Sequence, residues 1–132
     1  MVKLFTLLFL IIPFAKTHNN ASDAIDSAAE LIKSGNIHEL AKRFASTVEI
    51  TILNEENIYS ATQAELVLQN FFKSNPVKSV AVVHKVTSNP NIRYAVLSLV
   101  TATTTYRTSV SLKLVNGQFL LNEIKIENEK KE

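Results

Sequence analysis

The chain has 132 residues, 46% of them hydrophobic, which suits one domain with a single modest core. It has no cysteine, which excludes disulfides, thiolate chemistry and Cys-containing zinc sites. Its formal charge is +2, but of its fourteen basic side chains Lys3 and Lys16 lie in an N-terminal leader; the remaining twelve face twelve acidic ones, and that near-neutrality removes the main electrostatic support for nucleic-acid binding.

Residues 1–21 read as a signal peptide, with Lys3 as the positive start and "LFTLLFLIIPF" as the apolar stretch. That stretch is too short to cross about 30 Å of hydrocarbon as a helix. The expectation is an exported protein, periplasmic or extracellular, held at a membrane only if the leader stays uncut. A domain over residues 22–127 follows, then a charged tail over 128–132.

The first helix of the domain is expected to start at Ser22 as N-cap and to stop at Gly35. Ile25, Ala28, Ala29 and Ile32 form its apolar face. Asn36 caps a short second helix, with Glu39 three residues on and Leu40 and Phe44 turned inward. "VEITIL" alternates as a strand, with Val48, Ile50 and Ile52 on one side. A third helix opens at "SATQ", where Ser60 and Gln63 have capping-box spacing, and closes at Asn75-Pro76. Ala64, Val67, Leu68, Phe71 and Phe72 make its apolar stripe.

Four strands follow: "SVAVVHKVT", "IRYAVLSLVT", "TYRTSVSLKLV" and "QFLLNEIKIE". Asn89-Pro90-Asn91 and Asn116-Gly117 mark two of their turns, and a third is expected near Ala102 to Thr104. Helices early and a meander late predict an α+β domain, N-terminal helices packed on a strongly curved antiparallel sheet. Such a sheet is expected to wrap the helices around a small apolar hollow.

The segments "SGNIHELAKRF", "VEITIL", "YSATQAELVLQNFF", "VVH" and "TTYRTS" resemble the cone-shaped nuclear transport factor 2-like (cystatin-like) superfamily. Within it they look like an exported bacterial group, domain-of-unknown-function family 4783. The resemblance implies the cone fold over nearly the whole domain. The superfamily's dehydratases, isomerases and cyclases use a carboxylate, His or Tyr inside the cone, whereas this group implies no catalytic residue to carry over.

General acid–base chemistry needs a proton carrier aimed into a closed cavity. No Asp or Glu occurs between Glu65 and Glu123, so three strands lack a carboxylate, while Lys73, Lys78, Lys85, Arg93, Arg107 and Lys113 fall in that interval. On the strands, Glu49 and Glu123 alternate out of phase with their apolar neighbours and are expected to point away from the hollow. His84 is in phase with Val80, Val82 and Val86 and is expected to point in. Tyr94 and Tyr106 share phase with valines, and Asn122 with Leu120, Ile124 and Ile126. His84, Tyr94, Tyr106 and Asn122 are therefore the candidate ligand-binding residues, although packing explains each of them as well. Three scattered histidines provide no metal-ligand spacing, and only Gly35 and Gly117 are available for a phosphate loop, so neither a metal nor a cofactor is expected.

The strand from Ile92 is apolar on both sides, with Ala95, Leu97 and Leu99 assigned outward and Ala81, Val83, Phe119 and Leu121 beside them. Either a helix or a second subunit must cover such a set. The reading that results is an exported, non-enzymatic binding or interaction module with a small-molecule or protein ligand, forming a homodimer through the outer sheet face. The alternative is a small lyase or isomerase using His84 in the cone.

Overall fold

The computed structural model describes residues 23–130; the expected leader, Ser22 and residues 131–132 lie outside the described residues. Asp23 is the observed N-cap of α1 (Ala24–Lys33), its carboxylate accepting from the Ile25 N–H. Ile25, Ala28, Ala29 and Ile32 are buried, as their spacing predicts. Gly35 takes a φ of 71°, the left-handed turn that lets the chain leave α1. Asn36 then caps α2 (Ile37–Ala41) by accepting from the Glu39 N–H.

β1 (Phe44–Ile52) starts earlier than its alternation suggests and runs into a strand that the sequence reading missed, β2 (Glu55–Ser60). Their turn is carried by Leu53 at a φ of 56°, so no glycine announces it. β2 is acidic and nearly all exposed, which hides it from a hydrophobic pattern. Ser60 then caps α3 (Ala61–Ser74) in a complete capping box with Gln63. β3 (Val77–Val86), β4 (Ile92–Thr101), β5 (Thr105–Val115) and β6 (Gln118–Asn128) form the expected meander. Asn116 and Gly117 both take positive φ in the last hairpin.

The six strands make one sheet in the order β2-β1-β6-β5-β4-β3. All neighbours are antiparallel except β1 and β6, which run parallel. Paired residues share a face, so the register sorts every side chain to one side or the other. Ile50, Ile124, Val110 and Ala95 make one row, Ile126, Thr108 and Leu97 the next, and Leu99 and Tyr106 the third. These rows join Ile25, Ile32, Leu40, Leu68 and Phe72 of the helices in a single core. Burying each large side chain there contributes about 1.5–3 kcal/mol.

That arrangement corrects the face assignment on β4. Ala95, Leu97 and Leu99, expected to lie outward, are buried under the helices. Tyr94, Val96, Ser98 and Val100 line the outer face. Leu121 likewise lies in the core, and Phe119 packs against it. Of the apolar set that called for a cover, Ala95, Leu97, Leu99 and Leu121 lie in the helix-side core, whereas Ala81 and Val83 are exposed on the outer face, as expected.

Candidate functional site

Two bulges decide where the candidate residues point. On β3, Val82 pairs with Leu97 and His84 with Val96, leaving Val83 as an extra residue. A bulge adds one residue to one strand and reverses the alternation beyond it. His84 therefore stands on the outer face, exposed, and Lys85 turns to the helix side. There Lys85 Nζ lies 2.7 Å from Asp26 Oδ1 and 3.0 Å from Asp23 Oδ2. Hydrogen bonds to Asp26 and then Asp23 raise the Lys85 pKa. Partial burial pushes Asp23 upward, but the Ile25 N–H and Lys85 outweigh it and hold its carboxyl below the ordinary range.

On β6, Ser111 of β5 pairs with Glu123 and Leu112 with Leu121, so Asn122 is the residue the register skips. Its Oδ1 is buried without a hydrogen-bond partner. It serves neither His84 nor Tyr106. Tyr94 pairs with Val86 and Ser111 on the outer face. Tyr106 lies on the helix side, its hydroxyl donating to Asn75 Oδ1 at 3.2 Å. Its ring meets Phe71 edge-on at 5.4 Å, and Phe71 meets Phe72 at 5.2 Å. These rings, with Val77, Val80 and Val82, pack into the core on the helix side of the sheet. The four candidate residues are thus not brought together. His84 and Tyr94 share the outer face, Tyr106 packs inside, and Asn122 sits at a bulge.

What the structure does assemble is the outer face. A groove of about 1000 Å³ opens on it, walled by Val83, Val96, Ser98, Arg107, Glu127 and the Leu53–Asn54 turn. Lys125 Nζ lies 3.1 Å from Glu127 on this face, and the Glu127 carboxylate raises the Lys125 pKa. Among the described residues no carboxylate lies within ion-pair distance of Arg107. Toward β2, Glu49 shares a hydrogen bond with Glu56; that bond, the Glu56 charge, desolvation and Glu123 raise its pKa. Glu49 and Glu123 point outward, as their phase predicts. Ile58 and Val83, 72% and 64% exposed, stand near opposite edges, with Val86, Ile92 and Val100 also exposed on this side. Among the described residues no three His, Asp or Glu side chains group to hold a metal.

The acid-free interval is legible in the sequence, but this face is not. Its Glu56 and Ile58 lie on the unrecognised β2, and its His84 is turned outward by a bulge. The one available signal was the segregation of acids from bases along the chain.

Residues 25–127 match the family described as Domain of unknown function (DUF4783). No curated protein matches the sequence. A DUF4783 family protein from Bacteroides uniformis ATCC 8492 is similar at 22% identity and a TM-score of 0.78, covering 83% of this chain and 100% of that one. Another from Bacteroides fragilis YCH46 is 27% identical with a TM-score of 0.72, over 76% of this chain and 94% of that one. A protein of unknown function from Cytophaga hutchinsonii ATCC 33406, described as nuclear transport factor 2-like, shares the fold at 9% identity and a TM-score of 0.57, over 80% of this chain and 86% of that one. With its helices laid against one curved sheet and nearly its whole described length matched, this chain belongs to the DUF4783 family and has the nuclear transport factor 2-like α+β fold.

Proposed function

We propose that the protein is a non-enzymatic interaction module, exported by its leader, that works as a homodimer through the outer face of its sheet. The observation that carries this reading is the exposure of Val83, Val86, Ile92 and Val100 on the β3–β4 side of that face, with Ile58 exposed at its opposite edge. Apolar side chains exposed together on one side mark interaction sites. Of the residues on which the sequence based this reading, Val83 is exposed there, whereas Leu97 and Leu99 are covered by helices.

The catalytic alternative requires His84 and Tyr106 to converge on one substrate. Their placement on opposite faces of the sheet argues for binding over proton transfer, because a general base must reach its proton within hydrogen-bond distance. Light scattering of the mature domain across micromolar concentrations tests the proposal. A dimer that Val83→Asp converts to monomer with unchanged circular dichroism supports it. A wild-type protein that stays monomeric throughout overturns it.

A further inference from the structure

The outer face is polarised. Read across the sheet from β2 to β3, one row is Ile58, Glu49, Glu123, Ser111, Tyr94 and Val86. The next is Glu56, Thr51, Lys125, Ser109, Val96 and His84. A shorter third row is Glu127, Arg107, Ser98 and Ala81. Every acid of these rows lies on β2, β1 or β6. The β5–β4–β3 half has none, and it carries Arg107 and His84.

Two copies packed face to face are related by a two-fold axis lying between them. If the axis runs across the strands, the acidic half of one copy meets the acidic half of the other. If it runs along the strands at the β5–β6 seam, each row folds onto itself end to end. Ile58 then meets Val86, Glu56 meets His84, and Glu127 meets the unpaired Arg107. Glu49 and Glu123 meet the hydroxyls of Tyr94 and Ser111. Apolar ends meet, and four carboxylates find donors. This axis also keeps the strands of the two sheets aligned, the common arrangement for face-to-face packing.

Resting on the outer face as the working surface, we infer that its partner is a second copy of this chain, docked by a two-fold axis along the β5–β6 seam so that the acidic half of each copy lies on the acid-free half of the other. The size fits. With about 4.8 Å between strands and about 3.3 Å per residue, six strands of about ten residues cover roughly 950 Å², enough for the share of about 800 Å² that each partner gives to a standard interface. Within one copy the crowding of Glu49, Glu56 and Glu123 is offset in part by the Lys125 charge near Glu123 and Glu56, and the partner's donors relieve it further. Like charges left facing cost affinity and specificity, which disfavours the other axis.

The absence of cysteine makes the test direct, since any introduced thiol is the only one. Glu56→Cys and His84→Cys are made separately; both positions are exposed on the sheet surface. Each variant alone, and an equimolar mixture, is treated with a short bismaleimide. The mixture is expected to yield a cross-linked dimer in at least tenfold excess over either variant alone. Two Glu56 positions lie five strands apart across the seam, about 24 Å, whereas Glu56 faces His84 of the partner across about 10 Å. A dimer by light scattering that cross-links in Glu56→Cys alone, or not at all in the mixture, overturns the axis and leaves the dimer reading standing. A monomer by light scattering overturns both.

Discussion

Lys85 and Asp26 form a 2.7 Å ion pair between the far end of β3 and the first turn of α1, 59 residues apart in the chain by their numbers. The pair exists because the extra residue Val83 turns Lys85 from the outer face to the helix side. Asp23, the N-cap, shares the same ammonium at 3.0 Å. An acidic first turn suits the positive end of the helix dipole, and the lysine completes the tie.

Lys85→Met is expected to lower stability at neutral pH by roughly 0.5–1 kcal/mol, the upper range for a partly exposed pair. The pH dependence has a definite sign. Asp23 has a folded pKa below its ordinary 3.8, so its contribution is full above that value and is lost as pH falls through the folded one. Lys85 has a folded pKa above 10.5, so its contribution is full below that value and lost as pH rises past it. Urea unfolding of wild type and variant at pH 7 and pH 3 checks this. The difference should be present at the first pH and shrink at the second.

Leu99 and Val100 are neighbours on β4 that face opposite ways, one fully buried under the helices and the other exposed. Leu99→Ala is expected to cost about 2–5 kcal/mol by removing packed core volume. Val100→Ala in dilute protein should stay within about 0.5 kcal/mol. Denaturant midpoints for the two variants check the pair. Equal costs would mean that the face assignment is wrong.

The parts of this fold that could be read from the sequence are those with local signatures. Ser60 with Gln63, Asn36 with Glu39, and Asn116 with Gly117 each announce a structure within a few residues, and all three form as expected. The spans of β4 and β5 follow from the same kind of evidence. Bulges have no such signature. Alternation carried Val80, Val82 and His84 onto one face, and a single extra residue moved His84 to the other. β2 escaped because Glu55, Glu56 and Asn57 show no hydrophobic period, and Leu53 makes its turn with a φ that leucine rarely adopts. The outer face is a product of register across six strands, so no linear pattern contains it.

Tyr106 ties β5 to the end of α3 through Asn75, whose Nδ2 in turn donates to the Phe71 carbonyl at 3.0 Å. Tyr106→Phe keeps the ring contact with Phe71 and removes only the hydroxyl. Its expected cost is about 0.5–1.5 kcal/mol, the net worth of one hydrogen bond. Amide exchange in the last turn of α3 should speed up, while α1 stays protected. Uniform acceleration in both helices would contradict a local role.

Val83 offers the sharpest test of how the sheet is built. Val82 and His84 pair with consecutive residues of β4, Leu97 and Val96, so removing Val83 leaves a continuous ladder. His84 stays outside and Lys85 stays beside Asp26. What is lost is the local bend that a bulge imparts. Deleting Val83 is expected to cost on the order of 1 kcal/mol, a fall of several degrees in Tm. Deleting Ala81 instead shifts Val80 out of phase with Val82, and both pack against the core. Each valine turned to water forfeits about 1.5 kcal/mol or more, and the pairing with Leu99 and Ser98 is broken as well. Thermal melts of the two deletions, one residue removed from each, should therefore differ widely. If both unfold alike, Val83 is not an insertion the strand tolerates losing, and the bend itself is what holds α1 against the sheet.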